Sequence, residues 1–321
     1  MNKTLTTPTT LQEAVIFFAN PDNCHEFMMN LRWHDGKVIC PRCGSDNVAY
    51  LPNARVFKCY QKHECQKFSL KVGTIFEDSP LGLDKWLPVM WMLSNCKNGV
   101  SSWEIHRAVG VTQKTAWFML QRARLAMQDN ETGGKLGGEV EVDETFIGGK
   151  ARNMHKEKRA EKITGTGGKD KTPVLGILER GGKIRTAVVR DRRKKTLDSI
   201  VRNHVETGSS IYTDTLPSYN DLKNGYRHEM VDHAVEYVRE NVHTNGLENF
   251  WSLLKRSIGG TYVSVEPFHL FRYVDEQAFR FNTREDLDDS GRFTAVMKQI
   301  VGRRLTYKQL IGKTEQASAI S

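Results

Sequence analysis

Long apolar runs are missing from this 321-residue chain. The longest, "WLPVMWML" at 86–93, falls far short of the roughly 20 residues that cross a bilayer as a helix, which excludes a helical membrane protein. The opening "MNKTLTTPTTLQEAVIFF" lacks the charged-then-apolar layout of a secretory signal, so no export is expected. Cysteine is sparse, with six residues. In a chain without an export signal this points to a reducing compartment, the cytoplasm, where thiols hold metal more often than they pair. No internal repeat is visible, which excludes a solenoid. With 39% hydrophobic and 26% charged residues, the composition suits a soluble globular protein rather than a disordered one.

Acidic charge is also in deficit: 47 Lys/Arg face 38 Asp/Glu, a net of +9. Residues 150–195 alone hold 16 Lys/Arg against 5 Asp/Glu, more than the whole chain's excess. A charge run is ordinarily a solvated face. Here the first part, 150–171, contains "TGTGGKDK" and no Phe, Trp or Tyr, and so reads as a mobile basic loop. Such a loop neutralises phosphates without reading sequence. Arg192, Arg193, Lys194 and Lys195 end the stretch and join it as candidate nucleic-acid contacts.

Four regions separate by composition. Residues 1–80 carry an N-terminal helix and five of the six cysteines. Residues 81–136 read as helical up to a break at "DNETGGKLGG" (129–138). There Asp84 suits the cap of a helix running to about Asn95, and a turn at Gly110 leads to a longer helix capped by Thr112. Ala116, Met119, Leu120 and Ala123 form that helix's core stripe, while Gln113, Trp117, Gln121 and Arg124 lie on its other face with Lys114 beside them. This is a helix-turn-helix layout, whose second helix can enter the major groove; a helical hairpin that merely packs would share it. Residues 137–284 alternate strand and helix patterns: "GGEVEVDETFIGG", a hairpin of "TPVLGILER" and "KIRTAVVRD" about Gly181 and Gly182, the helix "TLDSIVRNHV", the strand "SSIYTDTLPSY", a short extended stretch "HEMVDH", and a helix from Asn245. Such an order gives an α/β layer arrangement around one sheet. Residues 285–321 read as a polar tail with one helical candidate, "RFTAVMKQIV".

"CPRCG" sets Cys40 and Cys43 two residues apart, and "KCYQKHEC" adds Cys59 and Cys65. A C-x2-C turn presents two thiolates to one ion, and zinc takes four ligands in a tetrahedron. The second pair is looser than the first, and His63 competes for its last position. So small a region, with few apolar residues, needs the metal to fold, which makes the zinc structural. Cys24 and Cys96 read as isolated buried thiols.

Asp143 and Asp214 each sit at the end of an expected strand, and Glu248 lies in the first turn of a helix whose Leu247, Phe250, Trp251, Leu254 and Ile258 form one apolar stripe. Each acid has an ordinary explanation. Asp143 would end a strand, Asp214 would cap the turn "DTLPSY", and Glu248 would close a capping box with Asn245. Together, three carboxylates suit a pair of hard divalent ions roughly 4 Å apart that clamp an in-line phosphoryl displacement. Glu141 and Glu144 are rivals to Asp143, and spacing does not exclude Glu141, which shares its face.

"EVDETFIGGK" (141–150), "YTD" (212–214) and "HTNGLENFWSLLKRSIGGTY" (243–262) resemble the DDE transposases of bacterial insertion sequences, in particular the group that joins an N-terminal zinc ribbon to an RNase H-like catalytic domain with an added lysine. "FSLKVGTIFEDSPL" (68–81) and "FRYVDEQAFRFNTR" (271–284) resemble that group too, so the likeness runs from about residue 10 to about residue 311. The resemblance implies an RNase H-like α/β fold with Asp143, Asp214 and Glu248 as the Mg²⁺-binding triad, Mn²⁺ being able to replace Mg²⁺ at oxygen-rich sites. It implies that Lys255, with Arg256 beside it, meets DNA phosphate near the cut; His243 and Asn245 neighbour the triad. The expected activity is cleavage at terminal inverted repeats followed by 3′-hydroxyl transfer into target DNA, carried out by a homo-oligomer that pairs two ends. A DNA-binding regulator that no longer cuts, and an RNase H-like nuclease or resolvase without a joining step, are the competing expectations.

Overall fold

The computed structural model describes residues 7–128, 134–149, 154–163, 170–231 and 243–313, and its contacts divide the chain into two units, Met1–Met127 with Asp286–Ile320, and Gln128–Glu285. In the first unit, the Thr10 side chain accepts the Glu13 N–H and starts α1 (Leu11–Phe18), and that of Asn20 accepts the Asp22 N–H and starts α2 (Pro21–Arg32). Pro21 fits the first helical position, where its missing N–H costs nothing. A small antiparallel sheet follows, β1 (Val48–Leu51), β2 (Val56–Cys59) and β3 (Lys67–Phe68), in that spatial order. Next, α3 (Leu83–Asn95) begins at Gly82 with no side-chain cap. Asp84, expected as the cap, instead lies in the first turn, where its charge favours the helix N-terminus.

The hairpin of helices forms as its capping signals require. Ser101 and Glu104 make a capping box for α4 (Ser102–Val109), which ends at Gly110 with φ 63°, a left-handed position glycine adopts without strain. Thr112 Oγ1 then accepts the Thr115 N–H at 3.2 Å and begins α5 (Gln113–Met127). The expected core stripe is buried, but so are Gln121 and Arg124, at 0% and 1% exposure. The outward face assigned to them does not exist, because the second half of α5 is packed on more than one side. Arg122 shows the same environment, donating to the carbonyls of Ile75, Glu77 and Leu305.

The second unit holds β4 (Glu139–Ile147), α6 (Lys156–Lys162), β5 (Thr172–Glu179), β6 (Ile184–Val188), α7 (Lys194–His204), β7 (Ser210–Asp214), β8 (Arg227–Val231), α8 (Asn245–Arg256) and α9 (Leu270–Asn282). The basic stretch 150–171 is therefore not all loop, since α6 lies inside it; 150–153 and 164–169 fall outside the described residues. The sheet order is β6-β5-β4-β7-β8. β4, β5 and β6 are antiparallel neighbours, whereas β4–β7 and β7–β8 are parallel. One apolar layer joins Val140, Val142 and Ile211 of the strands to Leu197 and Val201 of α7. The other joins Val174 and Leu178 to Leu247, Phe250, Trp251 and Leu254 of α8 and to Val274 and Phe281 of α9. An antiparallel meander continued by parallel strands, with helices on both faces, is the RNase H-like α/β fold.

After α9 the chain re-enters the first unit as α10 (Asp289–Lys298) and α11 (Tyr307–Leu310). The segment read as a polar tail is a core element: Phe293 packs against Phe18, Phe27 and Trp91 at ring-centroid distances of 5.7, 5.5 and 5.1 Å. Its three apolar anchors, Phe293, Val296 and Met297, are each fully buried. Among the described residues no helix is long and apolar enough to cross a membrane.

Candidate functional site

Cys40, Cys43, Cys59 and His63 bring their ligand atoms within 4.8 Å of one another. Cys40 Sγ lies 3.6 Å from His63 Nε2, and Cys43 Sγ lies 3.6 Å from Cys59 Sγ. A tetrahedral zinc with Zn–S near ~2.3 Å and Zn–N near ~2.0 Å has edges of roughly 3.5–3.8 Å, so this donor set fits structural zinc. His63 Nδ1 lies 2.7 Å from the Glu64 carbonyl; donating its proton there leaves Nε2 as the metal-facing lone pair. Cys65, expected as the fourth ligand, does not belong to this group; His63, four residues after Cys59, stands in the fourth place, and Cys65 itself has φ 56°.

Asp143 lies in the middle of β4 rather than at its end, directly opposite Gly176 of β5. Asp214 closes β7 and accepts the Leu216 N–H at 3.0 Å. The parallel register pairs Glu141 with Tyr212, so two residues further along both strands Asp143 and Asp214 stand side by side. Gly176 opens the sheet for α8, because a Cβ there would come within 2.7 Å of Leu247 and of Trp251. Through that opening Trp251 Nε1 donates to Asp143 Oδ2 at 2.9 Å. Trp251 read only as core in the sequence; the signal that it does more is its indole N–H, which needs an acceptor when buried.

Glu141 has a different task from its rival Asp143. It is 1% exposed; Oε2 accepts the Leu247 N–H at 3.0 Å and Oε1 accepts Arg180 Nε at 3.1 Å. Arg180 also donates to the His243 carbonyl at 2.9 Å, while the His243 ring lies 3.4 Å from Glu141. Gly246 is required here, since a Cβ would come within 2.5 Å of Leu178 and 2.8 Å of Glu141. Glu141, Arg180 and His243 thus fasten the start of α8 to the sheet.

Glu248 does not form the capping box expected with Asn245. The helix is capped by Thr244 with no side-chain cap bond to its first-turn N–H groups, and Glu248 is exposed. The acidic cluster whose ligand oxygens lie within 4.8 Å of one another is Asp143, Glu144 and Asp214. Burial pushes Asp143 up to about 6, against the pull of the indole bond, with the charges of Asp214 and Glu248 adding to the rise. Burial likewise pushes Glu144 up to about 7, with Tyr219 and Arg192 lowering it and the two aspartates raising it. Carboxylates crowded in this way repel one another when ionised, and a hard divalent cation is the partner that relieves them. The donor set fits Mg²⁺ or Mn²⁺.

Ser252, Lys255 and Arg256 are exposed on α8. Arg192 stacks over Phe146 at 4.7 Å. Arg193, Lys194 and Lys195 are exposed, Lys194 paired with Asp221. On α5, Lys114 is exposed with its ammonium 5.4 Å from the Tyr307 ring, Trp117 is half-buried, and Gln113 donates to Ser102 at 2.8 Å.

An RNase H-like sheet bearing clustered acids, together with a four-ligand ribbon, defines the class of this protein. Residues 135–282 match the ISXO2-like transposase domain and residues 19–67 the transposase zinc-ribbon domain. A protein of Haemophilus influenzae described as an uncharacterized transposase-like protein is 30% identical over 120 residues, which cover 37% of this chain and 94% of that one. A protein of Halobacterium salinarum described as an uncharacterized protein in transposable element ISH50 is 26% identical over 250 residues, 74% of this chain and 83% of that one. The chain belongs to the transposases and carries an ISXO2-like transposase domain.

Proposed function

We propose that this transposase cuts DNA at the terminal inverted repeats of an insertion sequence and joins the freed 3′ ends to target DNA. The observation that carries this reading is the side-by-side position of Asp143 and Asp214 on adjacent parallel strands, with the charge of Glu248 felt at Asp143. Asp143, Asp214 and Glu248 would hold the divalent cations. Mg²⁺ bound there supplies a Lewis acid that activates the attacking oxygen and stabilises the leaving one.

In the first step water attacks a phosphodiester at the element end; one P–O bond forms, the P–O3′ bond breaks, and the 3′ oxygen leaves as a hydroxyl. In the second, that hydroxyl attacks a target phosphodiester. A new P–O bond replaces the old one, the target's 3′ oxygen leaves, and no protein adduct forms. Trp251 fixes the orientation of the Asp143 carboxylate, and Lys255 and Arg256 meet phosphate on the exposed edge of α8. Arg192, Arg193, Lys194 and Lys195, with the rest of 150–195, hold the DNA backbone. The zinc ribbon within 1–80 and the helix-turn-helix within 81–136 recognise the ends, the latter through Gln113, Lys114 and Trp117, while 137–284 carries the chemistry. Two ends handled together require at least a dimer, working in the cytoplasm.

Purified protein given Mg²⁺ and a DNA duplex carrying the element end should release a cut 3′ end and join it to a second duplex. Asp143→Ala should abolish both steps while end binding persists. Full cleavage by that variant removes the catalytic assignment, and joining absent from a pre-cut end would make the protein a nuclease.

A further inference from the structure

Glu144 follows Asp143 on β4, and strand alternation aims it at the opposite face of the sheet, toward α7. Its neighbours Val140 and Val142 belong to that layer, as does Tyr219. The sheet nevertheless brings a Glu144 carboxylate oxygen within 4.8 Å of oxygens on both Asp143 and Asp214. Two features of the backbone make this reach available. β7 ends at Asp214, so no further β7 residue flanks β4 there, and glutamate has one more methylene than aspartate to bend around the strand.

The surroundings of Glu144 set it apart from a carboxylate that merely packs. Its Oε1 is buried and has no hydrogen-bond partner within bonding geometry among the described residues. Glu141, three residues earlier and on the other face of the strand, is fully buried, yet its carboxylate is bonded on both oxygens. Beside Glu144 stands Tyr219, 1% exposed, whose hydroxyl is likewise buried without a partner at bonding geometry but near enough to pull Glu144 below the value that burial alone sets. Glu144 thus stands between the Tyr219 hydroxyl and the two aspartates, whose oxygens lie within 4.8 Å of its own. Arg192 contributes positive charge from the solvent side. A buried carboxylate oxygen left without a partner is costly, and a cation is a partner that would use it.

We propose that Glu144 is a further ligand of the divalent-cation site, reaching it from the α7 face of the sheet, and that Tyr219 is its positioning residue. This rests on the reading that Asp143 and Asp214 hold the cations. The site then takes carboxylates from both faces of β4: Asp143, bonded by Trp251 of α8, from one, and Glu144, beside Tyr219, from the other. Consecutive residues on one strand become ligands because the cation sits past the end of β7, where both faces are reachable.

The test uses the full-length zinc-loaded protein and Mn²⁺ alone, with free Mn²⁺ measured by electron paramagnetic resonance and no DNA present. Glu144→Gln should weaken Mn²⁺ binding about tenfold or remove one bound ion. Tyr219→Phe should weaken it several-fold, because the carboxylate loses the hydroxyl that orients it, with the circular dichroism unchanged. Asp143→Asn is the control for the underlying site. If Asp143→Asn weakens binding while Glu144→Gln binds as the parent does, Glu144 is no ligand and only this proposal fails. If Asp143→Asn itself leaves binding intact, the cation site is elsewhere and the reading beneath the proposal fails with it. Should Glu144→Gln not fold, Glu144→Asp replaces it. The shorter chain keeps the charge but falls short of the site, so the same weakening is expected and parent-like binding overturns the proposal.

Discussion

Trp251 donates its indole N–H to Asp143 Oδ2 at 2.9 Å across the sheet–helix interface. The same ring fills the space that Gly176 leaves empty opposite Asp143, so one side chain both seats α8 and orients a carboxylate. Replacing Trp251 with Phe keeps an aromatic filler and deletes the donor. The expected result is a fall in Mn²⁺ affinity and in cleavage of about tenfold, the usual scale for a lost outer-shell bond to a metal ligand. Parent-like Mn²⁺ affinity in a folded Trp251→Phe would show that the bond does not orient Asp143.

Much of this arrangement was legible from residue patterns. The hairpin about Gly181 and the apolar stripe of α8 rest on local chemistry and alternation, and both stand in the structure. Three features were not legible for physical reasons. Asp143 was expected at a strand end because a charged residue in mid-strand is unfavourable unless something pairs with it, and its partner Trp251 lies 108 residues away. Strand alternation separates Glu144 from Asp143, and only the end of β7 brings their oxygens together. Phe293 looked like part of a polar tail since the pocket it fills is built from Phe18, Phe27 and Trp91, some 200 residues or more upstream.

The zinc site separates His63 from Cys65 cleanly. Cys65→Ser should retain one zinc per chain, measured by atomic absorption, and should leave the ribbon's melting unchanged. His63→Ala should weaken zinc binding strongly and loosen the ribbon, because a structural site short of one ligand loses binding energy that is also folding energy. Strong zinc loss in Cys65→Ser with retention in His63→Ala would reverse the ligand assignment.

Glu141 and Arg180 form a buried pair at 3.1 Å that also holds the Leu247 N–H and the His243 carbonyl. Removing Glu141 leaves the buried Leu247 N–H without its acceptor, which typically costs ~1–3 kcal/mol, while Arg180 keeps Glu139 at 3.5 Å as a counter-charge. Glu141→Ala should therefore lower stability by about that amount in urea unfolding, with its largest effect on hydrogen exchange at the start of α8. A loss of activity without any loss of stability would mean that Glu141 acts at the reaction centre instead.

The raised carboxyls give stability a pH dependence of definite sign. Asp143 stands at about 6 and Glu144 at about 7, both above the ordinary carboxylate range. A group whose pKa is raised on folding contributes stability that is full below its unfolded pKa and lost as pH rises through the folded value. Protein holding zinc but no Mg²⁺ should therefore lose stability between about pH 4 and pH 7. Mg²⁺ should restore more of it at pH 8 than at pH 5, because protonated carboxyls compete with the cation at the lower pH. Glu144→Gln removes one of the two titrations, so its melting temperature should fall less steeply than the parent's from pH 5 to pH 8. Comparing the two proteins cancels the titrating groups that are not coupled to Glu144. Parallel curves would mean that Glu144 is ionised in the folded protein as readily as in the unfolded chain.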